Sequence, residues 1–250
     1  MVPIGLARRS AARPQGIERV AVATPPHRVV ALVNAPVSPF ELACAGEVFG
    51  LSRPGLPARY EFLVCTPVPG QVRTLLGYDL LVSQGLAALE GAETVIITGW
   101  QSPDVPPQVL TAVKQAHARG TRILAICAAA FVLAEAGLLS GRRATAHWRR
   151  AAELARRYPD IEVVPDILYV DHGDVATTAG TVAGADFHLH VVRKDHGAAY
   201  AAEVARHMVM PPRREGARHS TPGWHRWRQP NRISPRCWSG RSAGSTDPRR

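Results

Sequence analysis

The sequence predicts an α/β domain built on a doubly wound, mostly parallel sheet flanked by helices. Three observations carry this. Short, continuous apolar runs recur along the chain, as expected of strands buried on both faces. Helical segments of about 10–14 residues alternate with them, the pattern of βαβ units. One of the runs ends in a cysteine and passes into helix-forming residues with no loop between.

Val29 to Val33 is the first such run, so ordered structure is predicted to begin there. Pro39 to Gly50 reads as a helix, with Phe40, Ala43, Val48 and Phe49 as candidate buried residues. Tyr60 to Thr66 is a second strand, Asp79 to Ser83 a weaker extended piece, and Thr94 to Thr98 a third core strand. Pro106 to Arg119 places Val109, Leu110, Val113 and Ala116 on one helical face. Two prolines open it and Gly120 closes it. Arg122 to Ile126 is the next strand, followed by Cys127 and a helix over Ala128 to Ala136. Beyond lie a helix over Trp148 to Tyr158, strands near Ile161 to Val164 and Ile167 to Val170, and helices over about Thr181 to Arg193 and Gly197 to Met208.

The chain has 250 residues and a formal charge of +10, but the charge is not spread evenly. Residues 1–28 carry +4, residues 29–210 carry −2, and residues 211–250 carry +8. A basic globular face that reads nucleic acid is therefore not indicated. No apolar run approaches the roughly 18 residues that cross a bilayer. Four cysteines are no disulfide framework and fit a reducing cytosol. The domain plan is a flexible leader over 1–27, an α/β body over 28–210, and a disordered basic tail over 211–250. That tail holds six Pro, ten Arg and only seven apolar residues, too few to offset its ordering entropy.

Cys127 is the residue with chemistry in it. A thiol between a core strand and a helix sits at a nucleophile elbow, at the sheet edge where α/β ligands bind. The free N–H groups of the helix start favour thiolate over thiol. The elbow needs small neighbours, and Ala125, Ala128 and Ala129 supply them. The competing reading is a buried, inert cysteine.

The run from Ala125 through Cys127 and Ala128 to Leu139, continuing from Gly141 to His147-Trp148, resembles the ThiJ/PfpI branch of the class I glutamine amidotransferase-like superfamily. In particular it resembles the GlxA-like regulators, which join that domain to an AraC-type helix-turn-helix domain. Pro39-Phe40-Glu41-Leu42 with Glu47-Val48-Phe49-Gly50 agrees, as do Thr178-Ala179-Gly180, His190, Arg193, Asp195-His196-Gly197 and Met208 to Arg213. The resemblance implies a flavodoxin-like, usually dimeric fold that senses a small-molecule effector, with no cofactor and no metal. It implies that Glu41 pairs with Cys127 and that His147 is a further catalytic-type residue. It also implies that backbone donors around Gly99 and Trp100, together with Ala128, line the ligand site.

The departures from the pattern bear on activity. Ala128 and Ala129 follow the cysteine where relatives carry His, Ser, Thr or Gly. The missing hydroxyl or imidazole removes an acid–base partner and favours binding over catalysis. The rival implied by the resemblance is a stand-alone cysteine enzyme, an isonitrile hydratase-like lyase or a deglycase; a third reading is a redox sensor. An AraC-type domain needs about 100 residues with two helix-turn-helix units. The match ends near Arg214, and the arginine- and proline-rich remainder reads as a shifted frame in a truncated regulator. Specific DNA binding is then expected only of an intact form.

Other residues read as structural. Asp186 and His190 share a helix face, with no third metal ligand evident. Cys44 and Cys65 read as core packing, and Cys237 falls in the tail. Arg149, Arg150, Arg156 and Arg157 read as a solvated helix face, with Glu153 able to pair with Arg157.

Overall fold

A computed structural model describes residues 25–102 and 104–211. The expectations for the leader up to residue 24 and for the tail from residue 212 lie outside the described residues.

The element order is β1 (His27–Leu32), α1 (Pro39–Phe49), β2 (Tyr60–Cys65), β3 (Gly70–Arg73), β4 (Asp79–Val82), β5 (Thr94–Ile97), α2 (Pro107–Ala118) and β6 (Arg122–Ile126). Then come α3 (Ala130–Glu135), β7 (Arg143–Ala144), α4 (Ala151–Arg157), β8 (Glu162–Val163), β9 (Tyr169–Asp171), β10 (Val175–Thr178) and α5 (Val182–His207). Six strands form the central sheet in the order β2-β1-β5-β6-β10-β9. All neighbours are parallel except β9, which runs antiparallel to β10 at one edge. This is the expected mostly parallel α/β sheet with helices on both faces.

Strand alternation sorts the core into two layers. Val30, Leu32, Val95, Ile97, Ile123 and Ala125 point to the face covered by α2, α3 and α4. Val29, Ile96, Leu124, Ile126 and Ala176 point to the face covered by α1 and α5. Every strand between the edges is buried on both sides, which is why each reads as an unbroken apolar run.

The structure corrects the expected face of α1. Phe40 is 50% exposed and Ala43 is exposed as well, while Glu41, Ala45, Val48 and Phe49 are buried. The helix turns its glutamate inward because that carboxylate has partners inside. Two pieces were not foreseen. β10 is a fully buried strand beside β6, and β3 pairs with β4 as an antiparallel hairpin. The helix predicted from Trp148 starts at Ala151, and Trp148 lies exposed on the turn before it. The two terminal helices appear as predicted: α5 is broken at Gly197, whose φ of 84° and ψ of 170° no helix accommodates.

At the edge where the strands begin, Arg122 grips Asp195 through two hydrogen bonds of 2.9 and 2.8 Å and also reaches the Thr94 hydroxyl. Tyr60 donates to the same carboxylate at 3.0 Å. Burial works against the charged Asp195, but the Arg122 guanidinium more than offsets it and holds the carboxyl below its usual range.

His188 lies on α5, fully buried, with its ring edge-on to Phe49 at 5.3 Å. The Cys44 carbonyl faces it, yet neither ring nitrogen makes a well-formed hydrogen bond. Burial pushes its pKa down to about 4. The unfolded chain, with a histidine pKa of about 6.5, therefore binds the extra proton first as pH falls. Stability should be undiminished above pH ~6.5 and should fall by about 3 kcal/mol on acidification to pH ~4. Denaturant midpoints measured across that window check this, and His188→Phe should flatten the slope.

Candidate functional site

β6 delivers Cys127 to the C-terminal edge of the sheet. Its φ of 62° is left-handed, and the chain turns at once into a short 3-10 turn, Cys127–Ala129, and then into α3. A side chain with φ in that region is strained, and the surroundings hold it there. Ala125, Ala128 and Ala129 are all buried beside it, as the elbow requires.

The first turn of α1 delivers Glu41 to the same place. Its Oε2 accepts a hydrogen bond from the Gly99 N–H at 2.7 Å, and its Oε1 lies 3.4 Å from the Thr181 N–H. The Cys127 thiol is hydrogen-bonded to the Glu41 carboxylate. Only 3% of Glu41 is exposed, so this is a buried carboxylate satisfied by two backbone donors and a thiol.

Two glycines make the approach possible. A Cβ on Gly99 would sit 2.6 Å from Oε2 of Glu41. A Cβ on Gly180 would sit 2.6 Å from Cβ of Cys127 and 2.8 Å from its sulfur, and Gly180 has a φ of 91°. Backbone from the turn after β10 thus packs directly on the thiol.

The electrostatics reverse one expectation. The elbow was expected to favour thiolate. Burial, then the Glu41 charge and its hydrogen bond, instead push the Cys127 thiol well above its usual range. The Ala128 N–H and the Arg150 charge act in the opposite direction but are outweighed. Cys127 is therefore held as a protonated thiol beside Glu41. Cys44 and Cys65 are likewise held as thiols, pushed up to about 11 and about 12, with burial the main cause.

The remaining predicted positions have partners of their own. The Gly99 N–H is committed to Glu41 in this state. Trp100 is buried, and its indole N–H donates to the Asp104 carbonyl at 3.2 Å. His147 is half-buried on the turn before α4, where its Nδ1 accepts from the Arg149 N–H at 3.3 Å. The groups that act most strongly on the thiol are Glu41, the Ala128 N–H and Arg150. His147 is not one of them.

Sequence reasoning missed three contributors. Gly180 and Thr181 gave a signal, because Thr178-Ala179-Gly180 stood out in the resemblance without a role. Arg150 was read as part of a solvated face. It stacks over Phe131 at 4.6 Å, is held by Glu153 at 2.7 Å, and places its charge toward Cys127. The predicted Glu153–Arg157 pair forms at 3.8 Å. His190 pairs with Asp171 at 2.8 Å, and among the described residues no cluster of three or more His, Cys, Asp or Glu is placed to hold a metal. Among those residues no helix is long and apolar enough to cross a membrane.

A parallel α/β sheet with a cysteine on a strained strand-to-helix elbow and a buried carboxylate behind it defines a nucleophile-elbow class of domain. Within that class this chain belongs to the DJ-1/PfpI family, which it matches over residues 27–194. An uncharacterized protein in the cpoL 5' region of Streptomyces lividans is 37% identical over 147 residues, covering 54% of this chain and 96% of that protein. The HTH-type transcriptional regulator GlxA of Rhizobium meliloti is 28% identical over 152 residues, covering 58% of this chain and 46% of the regulator. A solved AraC family transcriptional regulator from Pseudomonas putida superposes with a TM-score of 0.65 at 21% identity, covering 73% of this chain and 100% of that one. The chain spans less than half the length of the HTH-type regulators it matches.

The thiol geometry has a direct chemical consequence. Alkylation of Cys127 by iodoacetamide, followed by peptide mass spectrometry, should be slow at pH 7 and still rising at pH 9. Glu41→Gln removes the opposing charge, keeps an acceptor for the Gly99 N–H, and should raise the rate at pH 8 by about tenfold.

Proposed function

We propose that this chain is the ligand-sensing part of an AraC/GlxA-like transcriptional regulator, working in the cytoplasm. The site binds a small-molecule effector beside Cys127, with Gly99, Trp100 and the Ala128 backbone near it. The observation that carries this reading is the buried thiol, only 8% exposed and held in its protonated form. A nucleophile needs its thiolate, and Ala128 and Ala129 offer no acid–base group to release one. Similarity to HTH-type regulators supports the same reading. In such a regulator a helix-turn-helix domain carries sequence-specific DNA contact, since the α/β body is close to neutral.

A second reading rests on the Cys127–Glu41 hydrogen bond. A carboxylate that accepts the thiol proton could act as general base once a substrate excludes water. The chain would then be a stand-alone cysteine enzyme, a lyase or hydrolase, with Cys127, Glu41 and His147 as catalytic residues. Thermal-shift screening against a metabolite panel, followed by calorimetry on Cys127→Ser, separates the two. A sensor should keep its affinity within about threefold, because the serine preserves the shape of the site. Turnover of any hit by the unaltered chain, lost in the variant, would overturn the sensor reading.

A homodimer belongs to the same proposal. Leu75, Leu76, Tyr78 and Leu81 are all exposed on the β3–β4 hairpin, with Leu81 at 86%. Four large apolar side chains exposed on one hairpin are unusual on a monomer. The hairpin is tied to the segment that leads into Glu41, through the Val37–Thr74 bridge and the Leu75 N–H to the Val37 carbonyl at 3.0 Å. A second copy seated there would border the site. Sedimentation velocity should give a dimer for the unaltered chain and a monomer for Leu81→Asp.

A further inference from the structure

A second site lies at the opposite edge of the sheet from Cys127. α1 runs back from Glu41 to Phe49, and residues 50–59 return the chain to Tyr60 at the start of β2. Between that return, the end of α1 and Tyr200 of α5 is a cleft of about 90 Å³. This is room for several waters, enough for one small oxyanion.

The chemistry of the wall is one-sided. Arg53 and Arg59 both line it, with Ser52, Phe49, Tyr60 and Tyr200, and among the described residues no aspartate or glutamate does. Neither arginine has an ion-pair partner among the described residues. Arg53 is only 9% exposed, which is rare for a cation without a counter-charge. Its guanidinium is fixed by hydrogen bonds to the Leu51 carbonyl at 3.2 Å and to the Glu47 carbonyl in the last turn of α1. None of its nitrogens is sealed off without a partner.

The rest of the wall is held still. Tyr200 donates to the Pro57 carbonyl at 3.0 Å, and the Arg59 carbonyl accepts from the His27 N–H at 2.9 Å, which pins the return loop to β1. The Tyr60 hydroxyl is committed to Asp195, and that carboxylate is itself neutralised by Arg122. That carboxylate therefore does not compete for the two arginines. Behind the tyrosines, the His196 ring meets both edge-on at 4.9 and 5.4 Å, with its Nε2 buried and unpaired among the described residues.

We propose that this cleft binds a phosphate dianion, either free or as the monoester of a larger solute. The ordering and desolvation of Arg53 are already met by its backbone bonds, so its remaining N–H donors are preorganised for an oxyanion. Arg59 closes from the rim. The site is independent of Cys127 and of the sensor reading.

Calorimetry on the full chain at fixed ionic strength, in a phosphate-free buffer, tests this with inorganic phosphate, glycerol phosphate and acetate. Phosphate should bind. Arg59→Ala, an exposed position that should not disturb folding, should weaken it about tenfold or more, the loss expected for one charge-assisted contact. Arg53→Lys retains the charge but loses the fork, and should weaken it too. Arg156→Ala, an exposed arginine elsewhere, should leave it unchanged. Tighter binding of glycerol phosphate than of phosphate would assign the monoester; equal or weaker binding would assign the free ion. The proposal is overturned if phosphate does not bind, if acetate binds as tightly, or if Arg59→Ala and Arg156→Ala behave alike.

Discussion

The arrangement around the elbow depends on one buried carboxylate. Glu41 has left water almost completely, and a carboxylate in that position is tolerated only when its oxygens are satisfied. The Gly99 N–H, the Thr181 N–H and the Cys127 thiol are its partners. These come from the turns after β5, β10 and β6, so a single side chain from α1 ties three strand ends together. Both glycines at the site follow from this. Any side chain at Gly99 would strike the carboxylate, and any at Gly180 would strike the thiol it faces. The raised thiol follows as well, since a buried sulfur next to a negative charge keeps its proton.

The two edges of the sheet are built on different principles. At the elbow, backbone donors converge on a single carboxylate, and among the described residues no cation pairs with it. At the other edge, Arg122 and Asp195 form a pair, and among the described residues the neighbouring arginines 53 and 59 have no carboxylate partner. α1 spans the distance between them, with an acid in its first turn and an arginine capping its last. A helix that presents opposite chemistry at its two ends is well placed to hold two separate binding regions on one rigid element.

Much of the fold was legible because a parallel sheet buried on both faces leaves unbroken apolar runs. The run Val29 to Val33, and those beginning at Thr94 and Arg122, stood out for that reason, and the strand–Cys–helix junction located the elbow. β10 was not seen as a strand, since Val-Ala-Thr-Thr carries two hydroxyls and its burial comes from the neighbours β6 and β9. Phe40 was placed in the core and Glu41 took its place, a swap that hydrophobicity cannot anticipate. The buried acid is explained by partners far away in the chain, among them backbone donors 58 and 140 residues on. Glu41 itself entered through the resemblance, which carried its pairing with the cysteine but not the protonation state. Thiolate was expected from the helix start; the balance of burial and charge that decides otherwise exists only in three dimensions. The basic cleft left no trace in the sequence, since Arg53 and Arg59 lie in an irregular loop and owe their isolation to which acids are turned elsewhere.

The match to the DJ-1/PfpI family ends at residue 194, one position before Asp195. A dissection guided by that boundary would sever the chain just short of the counter-ion of Arg122 and discard Ala201, Val204 and Ala205, which are packed into the layer beneath α1. The smallest self-sufficient piece of this protein is therefore longer than its homology suggests, and reaches at least to the end of α5.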